Sequence, residues 1–362
     1  MPGPIGAWEL VLPGSLAADL ARAEAAVREL DRHGPLLATL AWPLLRAEAI
    51  ASSRIEGIGV SHHRLALAER AASDDPTARA VIGNLAALRR ALALADDRVD
   101  QAAFDEIHRA LLAGTGDEPR AGRVRRDQNW IGGRHPNPRG AAFVPPPPED
   151  VEPLLSDLSA FCARDDLPAV AQAAVAHVQF ETIHPYFDGN GRVGRALIQV
   201  ILRRRGIART VLPPVSLVLA GARDRYVEGL TAFRRGDAGV WLATFNDAVF
   251  RAARAGEELA ASVGALQGEW AERAGQPRRD SAAAALIRRL PEEPIVDLAT
   301  ARRLTGASAQ ATLGGIDRLV DADVLRELTG RRRGRLWESV GLFGLLDDLE
   351  TSVRGPSRSR AR

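Results

Sequence analysis

Lysine is absent from the 362 residues, so arginine supplies every one of the 48 side chains counted as lysine or arginine. Cysteine occurs once, at position 162, which excludes an intrachain disulfide and a zinc site built from cysteines. No uninterrupted apolar run is long enough to span a bilayer, and the first residues lack the basic and apolar segments of a signal peptide. We therefore expect a cytoplasmic protein without a membrane partner.

Acidic and basic residues are nearly balanced, 46 against 48, which gives a formal net charge of +2. This balance argues against a protein that binds polyanions over its whole surface. Apolar residues recur at helical spacing along most of the chain, whereas strand-like alternation is nearly absent. The pattern predicts a mainly α protein with a helical region at 1–95, a helical core at 96–275, a smaller domain at 276–350 and a disordered tail at 351–362.

Residues 122–148 interrupt the helices and are rich in glycine and proline. They contain a candidate β-hairpin, in which Trp130, Ile131 and Gly132 lead into the turn. Loops of this length within a compact domain are usually functional or disordered.

The stretch HPYFDGNGRVGR, His184–Arg195, concentrates groups that a structural loop does not need. One helix is expected to end before Pro185, and another to begin near Gly191. The backbone N–H groups of Gly189 and Asn190 would then lie with that of Gly191 at a helix N-terminus, where the free amides and the dipole favour anions. We expect a phosphate to bind at this turn.

Four side chains extend this interpretation. Arg192 and Arg195 share one face of the second helix, and guanidinium groups pair well with phosphate oxygens. Asp188 is suited to hold Mg²⁺ beside phosphates, and His184 is the natural general base. Each of these residues is more often structural when it occurs alone, but together they predict phosphoryl or nucleotidyl transfer.

The same stretch resembles the signature of the Fic family and departs from it only at Tyr186, where phenylalanine is usual. Tyr186 is expected to fill the same apolar slot, with a hydroxyl to satisfy. The resemblance implies a Fic-type helical bundle with a small β-hairpin flap, and AMPylation: transfer of AMP from ATP to a hydroxyl of a target protein, with release of pyrophosphate. It implies that His184 is catalytic, that Asp188 binds Mg²⁺, and that the phosphates are held by Gly189, Asn190, Gly191, Arg192 and Arg195.

Gly191 bears on the choice of reaction. The kinase-like Doc branch of the family carries lysine at this position and reverses the nucleotide. Glycine therefore favours a nucleotidyltransferase.

A second motif, SSRIEG at 52–57, lies at the end of a predicted helix. A glutamate there opposes the helix dipole. The segment resembles the inhibitory motif of Fic proteins, with Ser52 and Glu56 at its defining positions. The resemblance implies that Glu56 pairs with Arg195, which removes a ligand of the γ-phosphate and leaves bound ATP badly placed for attack.

The resemblance also assigns Trp130, Ile131 and Gly132 to a flap that pairs with the target as an added strand. Tyr226 lies where the family builds its adenine pocket. A core position is the alternative for Tyr226, and a surface loop with Trp130 in the core is the alternative for the flap. The sequence does not name the target protein, and a homodimer is a further possibility.

Residues 276–350 predict three helices and a hairpin, the pattern of a winged helix-turn-helix domain. Ser308–Ala322 would be the recognition helix, with Arg331–Arg333 and Arg335 on the wing. Asp317 and its acidic neighbours suit a DNA groove poorly, so an accessory role is favoured. Two alternative functions stay open: removal of AMP from a modified target, and a DNA-binding regulator whose Fic-like domain only senses nucleotide.

Overall fold

The computed structural model describes residues 2–32, 34–70, 74–97, 99–132, 137–330 and 334–353. Helices dominate, which confirms the prediction of a mainly α protein. In chain order the described helices are α1 (Gly14–Arg32), α2 (Gly34–Ile55), α3 (His62–Arg70), α4 (Pro76–Leu94), α5 (Gln101–Leu112), α6 (Pro148–Cys162), α7 (Ala169–Ile183), α8 (Asn190–Arg204), α9 (Val215–Gly221), α10 (Arg223–Arg234), α11 (Ala238–Arg273), α12 (Ala282–Arg289), α13 (Leu298–Thr305), α14 (Ala309–Asp321) and α15 (Leu342–Ser352). The strands are β1 (Ile295–Val296), β2 (Leu325–Glu327) and β3 (Trp337–Ser339).

The helix pair α7 and α8 forms the centre of the bundle. Every residue of α7 is buried, and the helix is apolar nearly all round, as expected where other helices surround it. Helices α1, α6 and α11 pack against α7, while α4 and α5 pack against α8. The short connection from α7 to α8 is therefore held between two rigid elements at one end of the core.

Helix α2 begins at Gly34, ten residues before the predicted start at Leu44, and includes Pro43. A proline inside a helix removes one backbone hydrogen bond, and burial of the apolar face at Leu40 and Leu44 compensates for it. The helix ends at Ile55, as predicted.

Helix α11 runs without interruption through Gly256 and Gly264, where the sequence suggested a break. A Cβ at Gly256 would lie 3.0 Å from Leu30 Cδ1, so this glycine allows α1 to pack closely. The helix predicted over 220–235 is instead divided at Ala222 into α9 and α10. Helices α3 and α15 were not predicted.

The hairpin predicted in the long loop is reduced to a single antiparallel bridge in the described residues, between Ile131 and Phe143. The Ile131 N–H donates to the Phe143 carbonyl oxygen at 2.9 Å, and the Ala142 N–H donates to the Ile131 oxygen at 2.8 Å. Residues 133–136 lie outside the described ranges.

The C-terminal segment combines helices α12, α13 and α14 with an antiparallel sheet of order β1-β3-β2. Strand β1 was not predicted, and Arg331–Arg333 fall outside the described residues. Helix α15 follows β3, packs against α11 and α3, and extends to Ser352, two residues into the segment predicted to be a tail. No helix in the described ranges is long and apolar enough to cross a membrane.

Candidate functional site

The connection between α7 and α8 begins at His184, whose backbone is left-handed with φ 51° and ψ 60°. This region is uncommon for a residue other than glycine. Two contacts hold the conformation: the His184 N–H donates to the Phe180 oxygen at 2.9 Å, and the His184 oxygen accepts from Arg125 Nε at 2.9 Å. The turn places the imidazole beside the start of α8.

Two asparagines orient the His184 ring. Asn129 Nδ2 lies 3.0 Å and Asn190 Nδ2 lies 3.2 Å from His184 Nδ1. The Asn190 amide is itself fixed, because its Oδ1 accepts from the Tyr186 N–H at 2.8 Å. His184 Nε2 has no hydrogen-bond partner among the described residues, so it is the ring nitrogen left for an incoming group.

The electrostatic environment keeps His184 uncharged near neutral pH. Burial, with Arg125 and Arg234 nearby, lowers its pKa to about 4. A neutral imidazole can accept a proton, which a general base must do.

Gly189 gives α8 its free N-terminus. Its φ of 78° is left-handed, and a Cβ there would come within 2.6 Å of Leu111 Cδ2, so glycine is required. Asn190 is the first residue of the helix, and Val193 is the first whose N–H bonds back to Gly189, at 3.0 Å. The amides that precede Val193 have no partner within the helix, as at any helix N-terminus.

The two arginines of the loop lie at this N-terminus. Arg192 is 5% exposed and pairs with Asp188, Nη2 to Oδ2 at 3.1 Å, while its buried Nε has no partner in the described structure. Arg195 is 1% exposed. It donates from Nε to Ser52 Oγ at 2.9 Å and from Nη2 to the Ser52 carbonyl oxygen at 2.8 Å.

Glu56 completes the surroundings of Arg195. Its Oε1 lies 2.7 Å from Arg195 Nη2. Burial opposes ionisation of Glu56, but Arg195 and then Arg192 outweigh it and lower its pKa. A Cβ placed on Gly191 would overlap Glu56 Oε1. The carboxylate therefore lies directly over the N-terminus of α8, where an anion is expected to bind.

Two further buried carboxyl groups near Arg195 escaped prediction. Burial raises the pKa of Glu181 and of Glu48 to about 7 each. Glu48 accepts from the Ser216 N–H at 2.8 Å, whereas Glu181 Oε1 has no partner in the described residues. Glu48 and Ser52 of α2 and Glu56, just after its end, recur every four residues. This polar stripe on an apolar helix was the available signal for Glu48.

Tyr226 belongs to the core beneath Arg195. It is 3% exposed, and its hydroxyl lies 2.9 Å from His177 Nε2. This matches the alternative of a core tyrosine, so the adenine contact assigned to Tyr226 stays a prediction.

Tyr186 is fully buried, and its hydroxyl has a partner. It donates to Asp105 Oδ1 at 2.8 Å, and the ring stacks on His108 at a centroid distance of 3.9 Å. His108 accepts at Nδ1 from the Gly122 N–H, so its Nε2 donates to the Asp188 oxygen at 3.0 Å. Tyr186 and His108 together support the loop.

The flap residues lie at the edge of the site. Trp130 and Ile131 are partly exposed and Gly132 is exposed, so Trp130 does not enter the core. Asn129, next to them, reaches His184.

Asp188 is the candidate metal ligand. Its side chain is 55% exposed, and no group of three histidine, cysteine or acidic side chains that could hold a metal occurs in the described part of the chain. Mg²⁺ bound to a nucleotide takes one or two carboxylates together with phosphates and waters. A single carboxylate beside a phosphate site fits that requirement.

The fold and the loop define a class: a helical protein with a phosphate-type site at a helix N-terminus and a neutral histidine beside it. The chain belongs to the Fic/DOC family. The model of the Fic/DOC family matches residues 98–202, and that of the Fic/DOC family N-terminal region matches residues 17–93.

Curated relatives carry adenylyltransferase names. The chain is 34% identical over 140 residues to protein adenylyltransferase fic-1 of Caenorhabditis elegans, a match of 37% of this chain and 26% of the relative. It is 33% identical over 135 residues to protein adenylyltransferase Fic of Culex quinquefasciatus, covering 36% of this chain and 24% of that protein. The matches thus span about a quarter of each relative's length.

Solved structures share the fold. A Fic family protein from Desulfovibrio desulfuricans aligns over 92% of this chain and 98% of its own with a TM-score of 0.59 and 19% identity. Fic-1 of Caenorhabditis elegans aligns over 68% of this chain and 73% of its own with a TM-score of 0.56 and 22% identity.

Proposed function

We propose that this protein is an autoinhibited protein adenylyltransferase. It transfers AMP from ATP to a serine, threonine or tyrosine hydroxyl of a target protein and releases pyrophosphate. One observation carries the proposal: beside the neutral His184, the Glu56 carboxylate pairs with Arg195 and covers the anion site of α8. The names of the curated relatives support the same reaction.

His184 acts as the general base. It takes the proton of the target hydroxyl at Nε2, so the proton of the resting neutral ring must lie on Nδ1. Asn129 can accept that proton once its amide turns to present Oδ1, which is buried without a partner in the described residues. The turn gives up the hydrogen bond from Asn129 Nδ2 to the Tyr186 carbonyl oxygen.

The nucleotide phosphates bind at the start of α8. The amides of Gly189, Asn190 and Gly191 offer donors, and the unpartnered Nε of Arg192 offers another. Asp188 would hold Mg²⁺, which neutralises charge on the phosphates when bound.

Glu56 inhibits the reaction in two ways. It occupies Arg195, so that the guanidinium cannot hold the γ-phosphate, and it places a negative charge where phosphate oxygens would lie. Correct placement of the α-phosphate accounts for much of the catalysis in transfers of this kind, so even a small displacement is costly.

The flap assignment concerns the target protein. Trp130, Ile131 and Gly132 would pair with a target segment as an added strand. Their exposure and the single bridge from Ile131 to Phe143 support this role.

The C-terminal residues 276–350 are proposed to form a winged helix domain, following an N-terminal region at 1–95 and a catalytic core at 96–275. The arrangement of α12, α13 and α14 with a three-stranded antiparallel sheet supports it. Asp317 on α14 favours an accessory role over DNA binding.

Label transfer from α-labelled ATP with Mg²⁺ tests the proposal. We expect Glu56→Gly to raise auto-AMPylation well above that of the wild type, and the double variant Glu56→Gly with His184→Ala to lose it. A folded Glu56→Gly protein that incorporates no more label than the wild type would contradict autoinhibition. Release of AMP from a modified target, without transfer, would instead support the de-AMPylating alternative, in which Glu56 orients a water.

A further inference from the structure

A groove of about 620 Å³ lies between the flap and the exposed end of the α7–α8 loop. Arg120, Arg123 and Arg126 line it, with Trp130 at one end and Phe187 at the other. We call it the arginine groove. It adjoins the reaction site, because Asn129 and Asp188 also line it and Asn129 contacts His184.

Three arginines of the arginine groove lack an ion pair among the described residues, although Arg123 and Arg126 also line a neighbouring pocket that contains Glu149 and Glu152. Arg120, Arg123 and Arg126 are exposed, and none of them forms an ion pair with another described residue. Arg125 lies deeper and is a structural residue, since carbonyl oxygens of His184, Asp127 and Pro146 accept its hydrogen bonds.

The acidic residues of the groove leave an excess of positive charge. Of the two acidic residues that line it, Asp188 already pairs with Arg192. Among the residues that line the groove, three arginines without an ion pair therefore face one such carboxylate, that of Asp127.

An aromatic surface lies beside these charges. Phe187 is 57% exposed, and the guanidinium carbon of Arg120 lies 4.0 Å from the centroid of its ring. Exposed aromatic and arginine side chains are the residues that most often anchor a protein partner. The groove thus offers apolar contact and positive charge next to the catalytic histidine.

We propose that the arginine groove binds an acidic segment of the target protein, next to the hydroxyl that receives AMP. This inference rests on the proposed adenylyltransferase activity and deepens it, because it names the chemical class of the target. The opposite charges attract and orient the segment. The flap at the Trp130 end then holds its backbone beside His184.

Synthetic peptides test the charge preference. In the Glu56→Gly background, peptides with one serine, threonine or tyrosine flanked by Asp and Glu, by Ser and Gly, or by Arg are compared for AMP transfer at low and high salt. We expect kcat/KM for the acidic peptide to exceed that for the neutral one by roughly tenfold at low salt, because each exposed ion pair contributes modestly. The preference should shrink as salt screens the charges.

Reversing the charges of the groove arginines tests whether the preference for acidic peptides arises in the arginine groove. Arg120→Glu, Arg123→Glu and Arg126→Glu combined should abolish the ratio of acidic to neutral transfer within that variant. The matched control, Arg278→Glu with Arg279→Glu, reverses two exposed arginines outside the groove and should keep the ratio. Thermal unfolding checks that each variant is folded.

Three results would overturn the inference: equal transfer to all peptides, a preference that survives the groove reversal, or competition by single- or double-stranded DNA that depends on the groove arginines. Auto-AMPylation by the Glu56→Gly variant distinguishes failure of the groove inference from failure of the proposed adenylyltransferase activity. Incorporation of labelled AMP without a preference for acidic peptides refutes only the inference about the arginine groove. Absence of any incorporated label refutes the proposed function.

A second observation concerns the other side of residues 52–57, which end α2 and carry Glu56 and which we call the inhibitory turn. Two residues before Glu56, Arg54 points toward α15 and forms a bidentate pair with Glu350, Nη1 to Oε2 at 2.7 Å and Nη2 to Oε1 at 2.9 Å. His62 Nε2 lies 3.1 Å from the same carboxylate. Glu350 is 8% exposed, whereas the Arg54 side chain is 32% exposed, so the pair is partly shielded from solvent.

The last turn of α2 is therefore held from two directions, by Arg195 through Glu56 and by α15 through Arg54. We infer that α15 restrains the inhibitory turn, so that an event which displaces α15 loosens Glu56 from Arg195. This second inference rests on the proposed autoinhibition.

Glu350→Gln tests the restraint. We expect it to raise auto-AMPylation several-fold over the wild type, by less than Glu56→Gly does, and to add nothing in the Glu56→Gly background, because both changes act on one contact. The matched control Glu327→Gln removes the pairing with Arg335, in the same C-terminal segment, and should leave label incorporation at the wild-type level. Arg54→Gln should reproduce the effect from the other partner.

Wild-type incorporation by folded Glu350→Gln and Arg54→Gln, alongside an active Glu56→Gly, would refute the restraint. The restraint would also be refuted if Glu350→Gln raised auto-AMPylation equally in the wild-type and Glu56→Gly backgrounds. If Glu56→Gly itself were silent, the proposal of autoinhibition would fail first.

Discussion

At the scale of residues, the surroundings of the α7–α8 loop change what each side chain does. A histidine in water titrates near 6.5, but burial and two nearby arginines lower the pKa of His184 to about 4. Burial moves Glu181 in the opposite direction and raises its pKa to about 7. Near neutral pH the site thus combines an uncharged imidazole with a carboxyl group that is partly protonated.

The low pKa of His184 predicts the pH profile of transfer. A base works in its deprotonated form, which predominates above its pKa, so kcat/KM of the Glu56→Gly variant should hold as pH falls from 7 to 5 and decline only toward pH 4. A base with an ordinary imidazole pKa would lose activity around pH 6.5.

His184→Ala should reduce transfer by roughly 10²–10⁴-fold at all pH values.

Glu181 provides the control for this profile, because its raised pKa lies in the tested range. Glu181→Gln should reduce any inflection near pH 7, where the pKa of Glu48 also lies, and keep the fall toward pH 4. The assignment of His184 as a buried neutral base would be contradicted if activity fell around pH 6.5 both with and without Glu181→Gln. Unchanged circular dichroism would show that both proteins stay folded.

Tyr186→Phe installs the residue that is usual at this position in the Fic signature. It removes the hydrogen bond to Asp105, and we expect a loss of about 1 kcal/mol in the free energy of unfolding with little change in transfer. Tyr186→Leu also removes the ring stacked on His108 and should reduce transfer. Urea unfolding and label incorporation measure the two effects, and lower transfer by Tyr186→Phe would assign a direct role to the hydroxyl.

At the scale of elements, the end of α2 determines where Glu56 lies. Asn84 of α4 donates to the Ala49 oxygen at 2.9 Å and to Ser53 Oγ at 3.1 Å. Gly57 follows with a left-handed φ of 81°. These contacts fix the helix end against α4 and aim Glu56 at α8.

Gly57→Ala should weaken the inhibitory turn. No atom lies within 4 Å of the added methyl, so only the left-handed backbone is strained, at a cost of about 1 kcal/mol. We expect a modest rise in auto-AMPylation. Gly306→Ala is the matched control, since Gly306 ends α13 with φ 67° and equally open space. Gly306→Ala should lower the free energy of unfolding by a similar amount without raising label incorporation. If both variants raised incorporation equally, the increase would come from a general loss of stability and not from the inhibitory turn.

At the scale of the whole molecule, ionic contacts attach the C-terminal segment to α2 and α3. Glu293 lies 3.4 Å from Arg46 and 2.9 Å from Arg303, and it also pairs with Arg70. Arg46 is 5% exposed and donates further to the Glu292 oxygen at 2.8 Å. Loss of the shared carboxylate would remove one partner from each of these arginines, although Arg46 would keep its ion pair with Glu69 at 2.7 Å.

Glu293→Ala should therefore lower the free energy of unfolding by about 1–2 kcal/mol, because three partly buried arginines lose a shared partner while Arg46 stays paired with Glu69. Glu292→Ala, the neighbouring change, removes only an exposed pair with Arg289 and should cost no more than about 0.5 kcal/mol. Thermal unfolding of both variants measures the difference. Equal shifts would mean that the Glu293 cluster contributes no special stability.

Local patterns predicted much of the fold because helix ends depend on nearby residues. Pro185 and Gly189 marked the connection from α7 to α8, and Gly57 marked the end of α2. Helix α9 and strand β1, of seven and two residues, are too short to stand out from the loops around them. Length does not explain why α3 and α15 were missed, because α12 and α13, of eight residues each, were predicted. The start of α2 was misplaced because packing of its apolar face outweighs the usual effect of Pro43.

The sequence by itself determined the family signature, the helix N-terminus at the start of α8, and the residues from His184 to Arg195, because these depend on residue types within a few positions. Only the tertiary structure determined the side-chain environments: the low pKa of His184, the buried Glu48 and Glu181, the core position of Tyr226, and the attachment of the inhibitory turn to α15. Those properties arise where segments distant in the chain exclude water together, and no local pattern specifies which segments will meet.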